Sequence, residues 1–137
     1  MRLFIFGLLM TSLAFADQSE VIGNKTVETG FYTAVDVETG TIQSSLLLRA
    51  DNTVNFKVST PDFTMPEPGC EGTYKVVENL LTADMTCPID FLAEVQVRID
   101  ITNVTPEAVR SEQGVNVDVI IDALGEDPYQ FNLKKIE

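Results

Sequence analysis

The stretch Cys70-Glu71-Gly72-Thr73-Tyr74-Lys75-Val76-Val77-Glu78-Asn79-Leu80-Leu81-Thr82-Ala83-Asp84-Met85-Thr86-Cys87 decides how this chain folds. If Glu78-Asn79 is the two-residue tip of a hairpin, Val77 faces Leu80, Val76 faces Leu81, and the pairing runs down to Gly72/Met85, Glu71/Thr86 and Cys70/Cys87. The two cysteines then stand opposite each other, at the roughly 4.5–5.5 Å Cβ separation of cross-strand pairs, which suits a disulfide. The same register gathers Cys70, Gly72, Tyr74, Val76, Leu81, Ala83 and Met85 on one face. Glu71, Thr73, Lys75, Thr82, Asp84 and Thr86 fall on the other. A slip of one residue would destroy both agreements.

Working outward, period-two alternation continues on both sides, broken by Gly, Asn, Asp and Pro. Phe31, Thr33, Val35 and Val37 alternate with Tyr32, Ala34, Asp36 and Glu38, and Thr39-Gly40 turns the chain. Ile42, Ser44, Leu46 and Leu48 follow, then Val54, Phe56 and Val58. Beyond Pro88 come Val95, Val97, Ile99 and Ile101; then Val115, Val117, Val119 and Ile121; then Tyr129, Phe131 and Leu133. Thr105-Pro106-Glu107 has the pattern of a capped helix start with proline at its first position. The segment from Thr60 to Gly69 carries three prolines with Phe63 and Met65. Eight alternating strands with short connections predict an all-β fold, an eight-stranded antiparallel up-and-down β-barrel; a two-sheet β-sandwich is the alternative.

The first sixteen residues read as a secretory signal. Met1-Arg2 is followed by an apolar run from Leu3 to Leu13 and by Ala14-Phe15-Ala16, an A-x-A pattern that places cleavage after Ala16. That run is shorter than the roughly 20 residues a membrane span needs. The expected organisation is a signal peptide over 1–16, a flexible polar leader over 17–29 and one β-barrel domain over 30–137. The expected compartment is periplasmic or secreted, in a bacterial cell.

Composition narrows the function classes. Nine Lys and Arg stand against 21 Asp and Glu, a net charge of −12, and loss of Arg2 with the signal would leave eight against 21. Such a balance opposes nucleic acid and anionic membranes and favours a basic protein partner or simple solubility. Histidine is absent, so neither a Ser-His-Asp triad nor a histidine general base can be assembled. One Cys pair in an exported chain points to a disulfide rather than to a redox or zinc site. No phosphate-binding loop or EF-hand pattern is present. Asp118, Asp122 and Asp100 could converge on a hard cation, but ordinary solvated positions explain them as well. The expectation is a non-enzymatic chain without cofactor or metal.

The remaining site candidates line the barrel. Phe31, Val35, Leu46, Phe56, Tyr74, Met85, Val97, Val119 and Phe131 are expected inside, either filling the interior or leaving room for one small apolar ligand. Phe63 and Met65 are expected to form a lid or a plug at one end. The candidate ligand residues are therefore Phe56, Phe63, Met65, Tyr74, Met85 and Phe131. By parity Leu47, Val77, Leu80 and Ile120 point outward as a partner patch or dimer seam.

Gly30-Phe31-Tyr32 at the first strand and Cys70-Glu71-Gly72-Thr73-Tyr74 at the mid-chain hairpin resemble the small bacterial lipocalin-like (calycin-type) barrels. The second run is also similar to the Cys-containing Gly-x-Tyr stretch of META-type heat-shock lipoprotein domains. Tyr32 stands where true lipocalins carry the tryptophan of Gly-x-Trp. The resemblance implies a binding module and identifies no ligand. The expected function is binding of a small apolar ligand or a protein partner. A different-class alternative is an acidic inhibitor of a basic secreted hydrolase such as lysozyme, since lysozyme inhibitors are similar disulfide-linked β-barrels.

Overall fold

The computed structural model describes residues 25–90 and 93–137. The expected signal peptide and the leader up to residue 24 lie outside the described residues. Among the described residues nine strands run β1 (Gly30–Asp36), β2 (Gln43–Leu48), β3 (Thr53–Thr60), β4 (Phe63–Thr64), β5 (Cys70–Val77), β6 (Leu80–Thr86), β7 (Glu94–Asp100), β8 (Val115–Ile121) and β9 (Tyr129–Lys135). Every pairing is antiparallel. Each long strand pairs with the next, and β9 returns to β1 through Ala34↔Leu133 and Asp36↔Phe131. That closure makes an eight-stranded up-and-down barrel, as the alternation predicts. Closure removes the free edges that an open eight-stranded sheet would present. The two-residue β4 is an addition made by the Pro-rich segment, which doubles back on the end of β3 (Thr60↔Phe63).

The β5–β6 hairpin has the expected register, from Val77↔Leu80 to Glu71↔Thr86. Glu78 takes a left-handed conformation at its tip (φ 57°). Cys70 and Cys87 are joined in a disulfide, with Cα atoms 4.1 Å apart. Gly72 is required here for space. A Cβ at this position would collide with the carbonyl oxygen of Asp84 and lie 2.7 Å from Met85 Cα, so β5 and β6 approach more closely than any side chain permits.

One expectation is corrected. Phe31 and Val35 do not line the interior: β1 is turned the other way, with Tyr32 fully buried, Ala34 packed against the core and Asp36 buried. The register explains the choice. Tyr32 is opposite Leu46, and Ala34 is opposite both Ser44 and Leu133, so the inward sets of β2 and β9 fix the parity of the strand between them. Apolar residues occur on both faces of β1, so alternation alone could not decide. Asp36 is an inward carboxylate whose charge is met locally. Its oxygens accept from Ile42 N (2.9 Å), Thr39 N (2.9 Å) and the Thr39 hydroxyl (2.7 Å), holding the β1–β2 turn.

The end of the barrel that holds the β5–β6 hairpin tip is closed by packing. Helix α1 (Pro106–Arg110) starts as expected, with Thr105 as N-cap accepting from Ala108 N and proline in the first turn. It brings Val109 and the preceding Val104 into the core beside Tyr32 and Val27. The last residues of the leader lie across this end. Lys25 N donates to Glu78 O (2.8 Å), the Tyr32 hydroxyl donates to Glu28 O (2.6 Å), and Glu28 pairs with Arg110 (2.6 Å). Among the described residues, no helix is long and apolar enough to cross a membrane.

Candidate functional site

The interior is the first place to look for a site. The inward residues of β2, β3, β7, β8 and β9 face one another across the barrel and leave a void of about 30 Å³. Phe56 and Phe131 are on its wall, with Leu46, Val97, Ile99, Val117, Val119, Ile121 and Leu133. A drug-sized ligand needs roughly 300–1,000 Å³, so bulky inward side chains have filled the barrel to within one or two waters' worth of space.

The other candidate residues are not at this void. Met65 is buried, its Sδ 3.5 Å from Cys70 Sγ, and it plugs the barrel beside the disulfide. Phe63 is partly buried against the core, on β4. Met85 is buried on β6, directly across from Gly72. Tyr74 lies toward the opposite end of the barrel, where its hydroxyl donates to Arg49 O (3.3 Å). Partial burial raises the Tyr74 pKa, with the Asp51 carboxylate adding to the shift. Of the six candidates only Phe56 and Phe131 line the void, and the other four lie elsewhere in the barrel.

The outer wall carries features of a different kind. A shallow groove of about 460 Å³ crosses β5, β6 and β7, lined by Glu71, Asp84, Glu94 and Asp122 together with Thr73, Thr86 and Gln96. Glu71 receives both guanidinium nitrogens of Arg49 (3.0 and 3.2 Å) and the amide of Asn55 (2.7 Å), contacts that hold its carboxyl below the usual range. Asp122 accepts from Gln96 N (3.0 Å), and Gln96 Nε2 donates to Asp84 (2.9 Å). These bonds fix Glu71, Asp84 and Asp122 along the groove. Arg98 pairs with Glu126 at 2.8 Å and Lys57 with Glu67 at 2.8 Å, so much of the small basic complement is spent within the molecule. The acid excess is left to face solvent.

Asp100, Asp118 and Asp122 have separate partners. Asp100 accepts from the backbone and hydroxyl of Thr102, and Asp118 from the side chain of Gln130 at 3.4 Å. Among the described residues, no group of three or more potential metal ligands is gathered. Of the outward apolar residues, Val77 (54 % exposed) and Leu80 (40 %) form an adjacent pair at the hairpin tip, while Leu47 and Ile120 are half-buried elsewhere. Leu124, at 56 % exposure, stands on the β8–β9 connection, in the same short helical turn as the groove residue Asp122. Sequence reasoning missed both the groove and this leucine. The groove is built by residues from three strands and a turn, and no local pattern announces it. Comparison of the chain with family models, with curated proteins and with solved structures returns no match.

Proposed function

We propose that this chain is an exported, non-enzymatic lipocalin-like barrel that works by binding a basic protein partner on its outer wall. The observation that carries the reading is the size of the interior. A carrier of lipids or drug-sized molecules needs at least about ten times the 30 Å³ available, so recognition is left to the surface. There the net charge of −12 and the groove carboxylates Asp84, Glu94 and Asp122 favour a cationic partner, steering its approach over distances of about a Debye length. The lipocalin-like part of the reading rests on the closed eight-strand meander and on Gly30-Phe31-Tyr32 opening β1, with Tyr32 buried at the closed end. Export is supported by the disulfide and by the signal-like N-terminus.

Inhibition of a basic secreted hydrolase such as lysozyme is the second reading. It is favoured by Leu124, an exposed apolar side chain flanked by Asp122, Glu126 and Asp127 on one connection. An apolar anchor within a charged rim is the usual composition of an interface centre. The test is binding of the mature protein to a panel of cationic secreted hydrolases, at low salt and at about 0.5 M salt, with turnover measured in parallel. Binding that weakens with salt and with Asp84→Lys plus Glu94→Lys supports the partner reading. Loss of hydrolase turnover at stoichiometric protein supports inhibition. Failure to bind any cationic protein at low salt overturns both.

A further inference from the structure

We propose that the barrel interior is a binding site for a very small apolar molecule, a gas or short hydrocarbon of roughly one to three heavy atoms, and that nothing larger enters. The inference concerns the core and is independent of the outer wall.

The void has a cause in the sequence. Ala34, Ser44 and Val58 are register neighbours on β1, β2 and β3 (Ala34↔Ser44, Ser44↔Val58). Three short side chains in one row leave the wall thin there. The row below, Tyr32↔Leu46 and Leu46↔Phe56, is full-sized. Facing the thin row are Val97, Ile99, Val119 and Ile121. These are β-branched side chains whose χ1 freedom is restricted, which limits how far they can swing across to close the gap.

The lining decides what the space accepts. Its one side-chain hydroxyl, Ser44 Oγ, donates to the carbonyl of Ala34 on the neighbouring strand (3.0 Å). Every other side chain there is hydrocarbon. A water placed inside would find few of the two to four polar partners it needs, so the void stays dry. A polarisable apolar atom of the right size instead gains dispersion contacts that the lining lacks. The volume of about 30 Å³ sets the upper limit on size.

Xenon is the probe. The full mature protein is titrated with xenon under pressure, and methyl shifts are followed by NMR. The expected result is a saturable shift confined to the methyls of Val97, Ile99, Val119 and Ile121 and their neighbours. Ala34→Val and, separately, Ser44→Val extend a side chain into the void and should each weaken xenon binding by about tenfold or more. Using both variants protects the test against one of them failing to fold. Val77→Ser, at the exposed hairpin tip, should leave binding unchanged. Shifts scattered over the surface, equal shifts in the filled variants, or an ordered water hydrogen-bonded inside the void would each overturn the proposal. None of these outcomes bears on whether the outer wall binds a basic protein.

Discussion

Replacing both cysteines by alanine tests the hairpin on which the whole barrel is built. The disulfide closes a loop with a sequence separation of 17. In the chain-entropy description, removing such a link frees the unfolded chain by about 3 kcal/mol. Both side chains are buried, Cys70 fully, so losing two sulfurs from the packed end beside Met65 adds a small cavity cost of about 1 kcal/mol. The expected loss is therefore about 3–4 kcal/mol. For a domain of this size, with an unfolding entropy of about 2 cal/mol/K per residue, that corresponds to a drop in Tm of roughly 12–17 °C. The two contributions separate in urea. A link that acts on the unfolded state keeps it compact, so the Cys70→Ala, Cys87→Ala protein should expose more surface on unfolding and show a larger m-value. A pure packing defect would lower the midpoint at constant m. The reasoning is refuted if the double variant loses less than about 1 kcal/mol, because a direct cross-strand link in the stated register could not then be constraining the chain.

Four further outcomes follow from the same geometry. Gly72→Val should abolish folding, because its Cβ has no space against Asp84 and Met85, whereas Gly40→Ala, with open surroundings but φ +73°, should cost only about 1 kcal/mol; far-UV circular dichroism and thermal melts distinguish them. Tyr32, pushed up to about 12 by burial and then by the Glu28 carboxylate, should titrate last in an ultraviolet pH scan, and Tyr32→Phe should remove that late step. Its raised folded value means its contribution is complete below pH 10 and fades as pH climbs toward 12, so wild type and Tyr32→Phe should converge in stability there. Asp36 is held below its ordinary 3.8 by bonds from Ile42 N, Thr39 hydroxyl and Thr39 N; its contribution is present above that value and lost on acidification, so Asp36→Ala should lower Tm at pH 7 and make little difference at pH 2. Thr105→Ala removes the cap of α1 and should cost about 1 kcal/mol, read from the urea midpoint.

The barrel was legible because its strongest signals are local and redundant. In β5 and β6 the parity of Tyr74, Val76, Leu81, Ala83 and Met85 and the positions of two cysteines select one register, and the structure has that register. The helix start at Thr105-Pro106 was legible for the same reason, since capping chemistry is written in consecutive residues. β1 failed as a parity reading because Phe31 and Val35 compete with Tyr32 and Ala34 on nearly equal terms. The deciding contacts come from Leu46 on one neighbour and Leu133 on the other, and closure brings Leu133 from the far end of the chain. The carboxylate of Asp36 inside the turn worked against the correct parity as well, because an acid normally marks the wet face.

The candidate site was less legible than the fold, and the reason is geometric. Alternation assigns a residue to the inside of a barrel but gives neither its height along the axis nor the residue it faces across the axis. Tyr74, Met85 and Phe56 share the inward parity, yet Tyr74 reaches the Arg49 carbonyl near one end, Met85 packs near the disulfide, and only Phe56 meets the void. Heights follow from the register around the whole closed sheet, through which Ala34, Ser44 and Val58 become one row of small residues despite lying in three separate strands. The same holds outside. Glu71, Asp84, Glu94 and Asp122 line one groove because pairing brings β5, β6, β7 and the turn after β8 side by side, with Glu71 and Glu94 flanking Thr86 in one row and Asp84 between Thr73 and Gln96 in the next. A sequence read strand by strand finds the faces; the juxtapositions from which recognition is built exist only once the ring of strands is closed.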